Sequence, residues 1–273
     1  MLDLRIRCIL LRSLLVLTLL LTVLPAIASE DVAWGTELSA AFKQAQDENK
    51  PVLVDVWAIW CVPCAEMDKT TYRDSRVLEA VKGFVPVKVD ADVQKIFIER
   101  YRIDAYPTVL VLDAKGNEIT RRMGLVTTAQ MLDLLERTAV GYNDYLAARK
   151  DRKNPEAMVR LARYFAGSGN PEEACACYRT ALKKLKKASA PEREGVQLEM
   201  AQAQIDAEHI SAALKTLRPL ADAASAPEIR GRALQALARA ERARGHDDAA
   251  TKIEQRLAKD FPALASESKP PRH

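Results

Sequence analysis

Two cysteines separated by two residues, Cys61-Val62-Pro63-Cys64, follow closely on the apolar run 52–57. Such a pair admits three chemistries: half of a metal site, a structural staple, or a dithiol that passes electrons to other disulfides. The local context bears on the choice, because a buried strand runs straight into the pair and a helix opens at it. At a helix N-terminus the unpaired backbone N–H groups and the macrodipole favour the thiolate of Cys61, its nucleophilic form. Pro63 lacks an N–H that the first turn does not need, and its fixed φ suits that position. Cys64, one turn on, is expected to be more sheltered and near enough to bond Cys61. A zinc site needs four ligands, and Cys175 with Cys177 completes that count. The spacing argues against it, because side chains two apart on a helix diverge. We therefore expect no metal or other cofactor, and read Cys175 and Cys177 as small packing residues. His209, His246 and His273 lie outside the cysteine-bearing region.

The elements that must position the pair alternate in period. Apolar spacing predicts a helix over 37–49, a strand buried on both faces over 52–57, and a helix from the cysteines. A short helix over 74–81 starts at Asp74 or Ser75, a second buried strand spans 85–89, and a helix covers 92–101. Strands 108–113 and 118–123 flank the hairpin signal Ala114-Lys115-Gly116-Asn117, and Thr127 or Thr128 caps a helix to 138. The sum is a three-layer α/β domain over 32–140. Beyond Gly141 strand signals stop and Ala, Leu, Arg, Lys and Glu dominate, so 141–153 is expected to be a linker and 154–262 all-helical. There Met158, Leu161, Ala162, Phe165, Gly169, Ala174, Tyr178 and Ala181 follow a 34-residue helix-turn-helix template. Leu234, Leu237, Ala238, Gly245, Ala250, Leu257 and Pro262 repeat it. Met200, Ala201, Ala213, Leu217 and Leu220 form a degenerate middle copy. A plain helical bundle is the competing reading. Residues 263–273 are expected to be a disordered tail.

The chain has 273 residues, 48% of them hydrophobic, and a net charge of +4 with both signs interspersed. No dense basic stripe with interleaved aromatics points to nucleic acid. Arg5, Arg7 and Arg12 precede a 13–24 apolar run that is too short to span a bilayer, and Pro25-Ala26-Ile27-Ala28 follows as a small-x-small pattern. Residues 1–28 are accordingly expected to be a signal peptide cleaved after Ala28, which makes the chain periplasmic. Outside the cytoplasm thiols are oxidised unless something keeps them reduced.

Val54 to Cys64, "VDVWAIWCVPC", resembles thioredoxin. Asp55 lies six residues before Cys61, Trp60 directly precedes it, "AYPT" supplies Pro107 at the family's cis-proline, Lys88 lies in the "VPVKVDAD" strand and Gly124 follows the last strand. More specifically, "CVPCAEMDKTTYRDSRVLEAV" resembles the periplasmic C-terminal domain of the DsbD-type transmembrane disulfide reductase, with Asp68 in place of a second acidic residue. Pro63 departs from that pattern towards thioredoxin. Residues 154–262 resemble the tetratricopeptide-repeat family, although the tryptophan and tyrosine of its consensus are mostly absent.

The resemblance implies an oxidoreductase in which Cys61 attacks a substrate disulfide and Cys64 resolves the mixed disulfide. Asp55, desolvated on its strand, is expected to have a raised pKa and to accept the Cys64 proton directly or through water. A salt bridge from Asp55 to Lys88 is the structural alternative. Asp68 is expected to tune the couple. Trp60, Pro63, Tyr106 and Pro107 are expected to form the substrate surface, with the Tyr106 backbone pairing to an extended segment. Trp57 is read as core. The implied partners are protein thiols and disulfides, a membrane electron donor upstream, and a protein docked on the helical domain. Two alternatives stand beside reduction: a disulfide oxidase or isomerase, and an adaptor whose helical domain recruits a partner.

Overall fold

The structure, a computed structural model, describes residues 31–267. The expected signal peptide and most of the expected tail lie outside those residues.

Four strands form one sheet: β1 (Val52–Trp57), β2 (Val85–Asp90), β3 (Thr108–Leu112) and β4 (Glu118–Met123). Their order is β2-β1-β3-β4, with β1 parallel to β2 and antiparallel to β3. β1 and β3 are central and buried on both faces, as their β-branched runs require. β2 departs from the expectation. It is nearly alternate in burial, because it is the edge strand and only the short segment around Gly35 pairs beyond it.

One face is covered by α1 (Leu38–Glu48) and α4 (Lys95–Tyr101), which bring Ala41, Ala45, Phe97 and Tyr101 onto Val54, Val56, Leu110 and Leu112. The other carries α2 (Val62–Lys69), α3 (Ser75–Val81) and α5 (Thr128–Ala139), whose Met67, Val77, Met131 and Leu134 meet Leu53, Val109 and Val111. This is the expected three-layer α/β fold. A 3₁₀ turn, Thr71–Arg73, joins α2 to α3, and the Asp74 side chain caps α3 by accepting from Arg76 N. Thr127 caps α5 in a reciprocal box with Gln130. The helix expected from residue 92 begins at Lys95 instead. Asp90 accepts from Asp92 N (2.8 Å) and Gln94 accepts from Asp90 N (2.6 Å), so side chains satisfy these amides in a turn before the helix can start.

Residues 141–153, expected as a linker, contain α6 (Tyr142–Lys150). Its Tyr145 is buried, donates to Asp113 Oδ2 at 2.9 Å, and stacks among Tyr142, Tyr164 and Phe165. Three antiparallel hairpins follow: α7 (Pro155–Gly167) with α8 (Pro171–Lys184), α9 (Ala190–Asp206) with α10 (Ile210–Ala223), and α11 (Pro227–Ala243) with α12 (Asp247–Asp260). Each turns through one left-handed residue, Gly169, Glu208 or Gly245. Each is closed by the same amide-to-carbonyl bond: Asn170 to Phe165, His209 to Gln204, His246 to Glu241. The turns fall 39 and 37 residues apart (169 to 208 to 245), wider than the 34 expected. A last helix, α13 (Pro262–Glu267), occupies the start of the expected tail. It packs where Gly231 leaves no Cβ to collide with Leu264, and Gln235 donates to the Leu264 carbonyl.

The first hairpin is not a separate body. Leu161, Phe165, Cys175 and Tyr178 belong to the same buried cluster as Leu53 and Met131. Asn170 caps α8 through its Oδ1 while its Nδ2 donates to Ile119 O of edge strand β4 at 2.8 Å. A third core, from Leu198 to Leu257, holds the remaining hairpins.

Candidate functional site: a bonded cysteine pair above a buried acid

β1 delivers the chain to Cys61, which is the N-cap of α2; its sulfur accepts from Cys64 N at 3.2 Å. Val62 and Pro63 fill the first two helical positions, as the first turn allows. Cys61 and Cys64 are joined as a disulfide with Cα atoms 5.3 Å apart. One expectation fails. Cys64 is no more sheltered than Cys61, since the two residues are 4% and 5% exposed. What distinguishes them is position, with Cys61 at the cap and Cys64 inside the first turn.

Around this pair lies an apolar surface that folding alone does not explain. Ile59, Trp60 and Val62 are 81%, 61% and 78% exposed. The Trp60 ring meets Tyr106 edge-on at 5.5 Å, and its Nε1 donates to Asp92 Oδ2 at 3.0 Å, so a large exposed ring is held in place. The Tyr106–Pro107 bond is cis, and Pro107 O accepts from Gly124 N at 2.8 Å, which brings exposed Met123 and Leu125 alongside. No hydrogen bond occupies the Tyr106 backbone among the described residues. Trp57 is half-buried and packs on the core cluster that holds the cysteines.

Beneath the pair, Asp55 is 2% exposed and sits opposite Lys88 in the β1–β2 register. Lys88 Nζ lies 3.5 Å from Asp55 Oδ2 and is bound more tightly by Asp68 of α2. Three rings, Trp34, Trp57 and Tyr72, surround the ammonium at 5.5–5.9 Å. Burial pushes the Asp55 carboxyl up to about 6; Lys88 opposes the shift and the Asp68 charge adds to it. The Tyr72 hydroxyl interacts with Asp55 electrostatically, yet in this geometry both it and Asp55 Oδ1 lack a hydrogen bond. No hydrogen bond links Asp55 to either sulfur among the described residues, so contact with Cys64 is not direct in this bonded form.

The structure thus brings together Cys61, Cys64, Trp60, Pro63, Tyr106 and Pro107 at one end of the sheet, with Asp55 and Asp68 joined below through Lys88. Lys88, the salt-bridge partner expected for Asp55, is shared by two carboxylates. Trp34, Tyr72 and Asp92 had no sequence signal beyond their types. Cys175 and Cys177 lie in α8, buried and unbonded, and burial pushes both thiols up, Cys177 to about 11.

Residues 38–139 match a family model described as a thioredoxin-like domain. The thiol:disulfide interchange protein DsbD of Yersinia pestis (strain Pestoides F) is 33% identical over 115 residues, which are 40% of this chain and 19% of that protein. DsbD of Cronobacter sakazakii is 38% identical over 81 residues, 28% of this chain and 14% of that one. The chain therefore spans less than a fifth of the length of these curated relatives. Among solved structures, a thioredoxin from Thermus thermophilus is 24% identical with a TM-score of 0.38, covering 41% of this chain and 90% of that one. The oxidised C-terminal domain of Neisseria meningitidis DsbD is 26% identical with a TM-score of 0.34, covering 38% and 98%. Residues 38–139 are a thioredoxin-like domain with homologues among the DsbD proteins, and a helical region follows it.

Proposed function

We propose that the chain is an exported thiol:disulfide oxidoreductase that reduces disulfides of extracytoplasmic proteins. The observation that carries this reading is the bonded Cys61–Cys64 pair at a helix start, ringed by exposed apolar side chains and underlain by the buried Asp55 carboxyl, whose pKa burial raises to about 6. In the reduced enzyme the Cys61 thiolate, favoured by the helix N-terminus, attacks one sulfur of a substrate disulfide. The other substrate sulfur leaves as a thiolate and takes a proton from solvent. Cys64 then gives up its proton and attacks Cys61 sulfur, which re-forms the Cys61–Cys64 disulfide and releases the second substrate thiol. Two electrons have passed from enzyme to substrate.

Asp55 is the acceptor for the Cys64 proton. A buried carboxylate with a pKa of about 6 matches that task near neutral pH, and its unpartnered Oδ1 offers a place for a relaying water. Asp68, by holding Lys88, limits how far the lysine stabilises the Asp55 anion, and so tunes the couple. Trp60, Pro63, Tyr106 and Pro107 form the substrate surface, the free Tyr106 backbone pairing with an extended segment of the substrate. The enzyme is recharged by a membrane-borne dithiol donor, and the hairpins of 154–262, tetratricopeptide-like in their recurrent turns, dock a protein partner.

Insulin reduction in the presence of dithiothreitol tests the activity. Native protein should accelerate it, Cys61→Ser should fall to the uncatalysed rate, and Cys64→Ser should accumulate a mixed disulfide with its substrate. A native protein with no activity would leave the adaptor reading. Equilibration with glutathione near −180 mV, about the potential of protein disulfide isomerase, would assign the oxidase or isomerase role instead.

A further inference from the structure

Charges that are interspersed along the sequence as a whole are concentrated by the fold in one place. Two short runs, Arg149-Lys150-Asp151-Arg152-Lys153 and Lys183-Lys184-Leu185-Lys186-Lys187, lie some thirty residues apart in the chain. The first hairpin brings them together. Lys184 Nζ donates to the carbonyl oxygens of Arg152 (3.1 Å) and Lys153 (3.0 Å), which fastens the end of α8 to the turn after α6. Eight basic residues converge there with one acid, Asp151, within the runs. Arg149 is turned inward to Asp113 Oδ2 at 3.7 Å. Lys150, Arg152, Lys153, Lys183, Lys186 and Lys187 are exposed and form no ion pair among the described residues.

We propose that this patch is a docking surface for an anionic lipid bilayer. Six of the eight cations are lysines, which act as point charges without the planar fork that arginine offers to a single phosphate or carboxylate, so the patch suits a diffuse field of headgroups. Neither run contains an aromatic residue on which a base could stack, and Leu185, the one apolar residue, is buried. Among the described residues no large exposed apolar side chain lies on the helical region, so the attachment is electrostatic, peripheral and reversible by salt.

The register fixes how the molecule would sit. β1 leads away from Val52 towards Cys61, and Val52 pairs with Leu112 at the other end of the sheet. Asp113, next in the chain, receives Tyr145 and Arg149. The basic patch therefore adjoins the end of the sheet remote from the disulfide, and a bilayer on the patch leaves Cys61 and Cys64 facing the aqueous phase. This inference is independent of the direction in which the cysteines pass electrons.

Sedimentation of the full-length protein with phosphatidylcholine vesicles, with and without phosphatidylglycerol, tests it. Neutral vesicles report any binding by the apolar N-terminal segment, Arg5, Arg7 and Arg12 of that segment are common to every variant, and the part of the phosphatidylglycerol gain that patch substitutions remove reports the patch. We expect that gain to be present at about 0.1 M salt and lost at about 1 M, where the screening length falls to ~3 Å. A variant carrying Lys153→Gln, Lys183→Gln, Lys186→Gln and Lys187→Gln should lose at least about 100-fold of it, since each surface cation contributes about a factor of five. That variant should keep native insulin reduction and native circular dichroism. The equal-charge control Lys215→Gln, Arg244→Gln, Lys252→Gln and Lys259→Gln should lose less than about threefold. Equal loss in both variants, a gain insensitive to salt, or displacement of the vesicles by duplex DNA or polyglutamate at matched charge would overturn the proposal.

Discussion

The two regions of this molecule obey the rules of folding to different degrees. In the helical region, residues 155–260, no large hydrophobic side chain is exposed, ion pairs such as Arg163–Glu199 and Arg256–Asp222 decorate the surface, and alanine and leucine fill the interior. Its one unsatisfied buried side-chain atom is Gln204 Oε1. In the α/β region all eight exposed large hydrophobics of the described residues fall between Ile59 and Val140, and three buried oxygens, on Asp55, Tyr72 and Thr120, lack a hydrogen bond. Exposed apolar surface and unsatisfied buried polar atoms both oppose stability, and Ile59, Trp60 and Val62 with the oxygens of Asp55 and Tyr72 belong to the cysteine site, whereas Val140 and Thr120 lie away from it. The difference teaches where chemistry resides: the helical region is built to persist, and the α/β region gives up stability at the place that must react.

That contrast can be broken first at the seam. Leu161 and Tyr145 lie in a core shared by both regions, so Leu161→Ala should cost about 2–5 kcal/mol and lower a single denaturation midpoint. Two separate transitions by fluorescence and circular dichroism would show instead that the regions are independent.

Asp55 comes next in size. Its folded pKa, about 6, lies above the ordinary carboxylate value near 3.9, so the native state holds the proton more tightly than the unfolded chain. Stability from this group is therefore full below about pH 4, falls as pH rises to about 6, and stays low above. Asp55→Asn should stabilise the protein by about 1–3 kcal/mol at pH 8 and by almost nothing at pH 3.5, while slowing the resolving step. Urea denaturation at the two pH values decides the matter, and an equal effect at both would refute the buried-acid account.

Trp60→Ala sharpens the contrast from the other side. Its ring is largely exposed, so stability should move by about 0.5 kcal/mol or less while the KM for a protein disulfide rises severalfold. The smallest effect belongs to the helical region. Glu208 holds the left-handed turn position that Gly169 and Gly245 take in the other hairpins, and Glu208→Gly should raise stability by about 0.5–1 kcal/mol in thermal denaturation.

Much of the site was legible because its signals are local. A buried strand, a cysteine pair and a proline in the first helical turn follow one another within thirteen residues, and cis-proline chemistry needs only the Tyr106-Pro107 dipeptide. The burial of Asp55 followed from its apolar neighbours. The Asp55–Lys88 pairing was anticipated, but the rings around the lysine were hidden for the opposite reason. Trp34 and Tyr72 reach its ammonium from separate segments, and no spacing rule joins positions brought together only by a sheet and the turn after α2. Residues 141–153 look like a polar connection in sequence, yet Tyr142, Tyr145 and Ala148 bury one face of α6 against both regions. The middle repeat reads as degenerate in part because Glu208 stands at the left-handed turn position where the other two hairpins have glycine.

The sequence by itself determined what depends on neighbours along the chain: the order of strands and helices from 38 to 139, that Cys61 and Cys64 can bond, and that the second region is helical. Only the tertiary structure decided that one lysine answers to two carboxylates, that Asp92 holds Trp60, that the first hairpin shares the core of the α/β region, and that two basic runs form one surface. Propensity, capping and periodicity act over a few residues. Charge, burial and shared packing depend on distances through space, which the order of residues does not state.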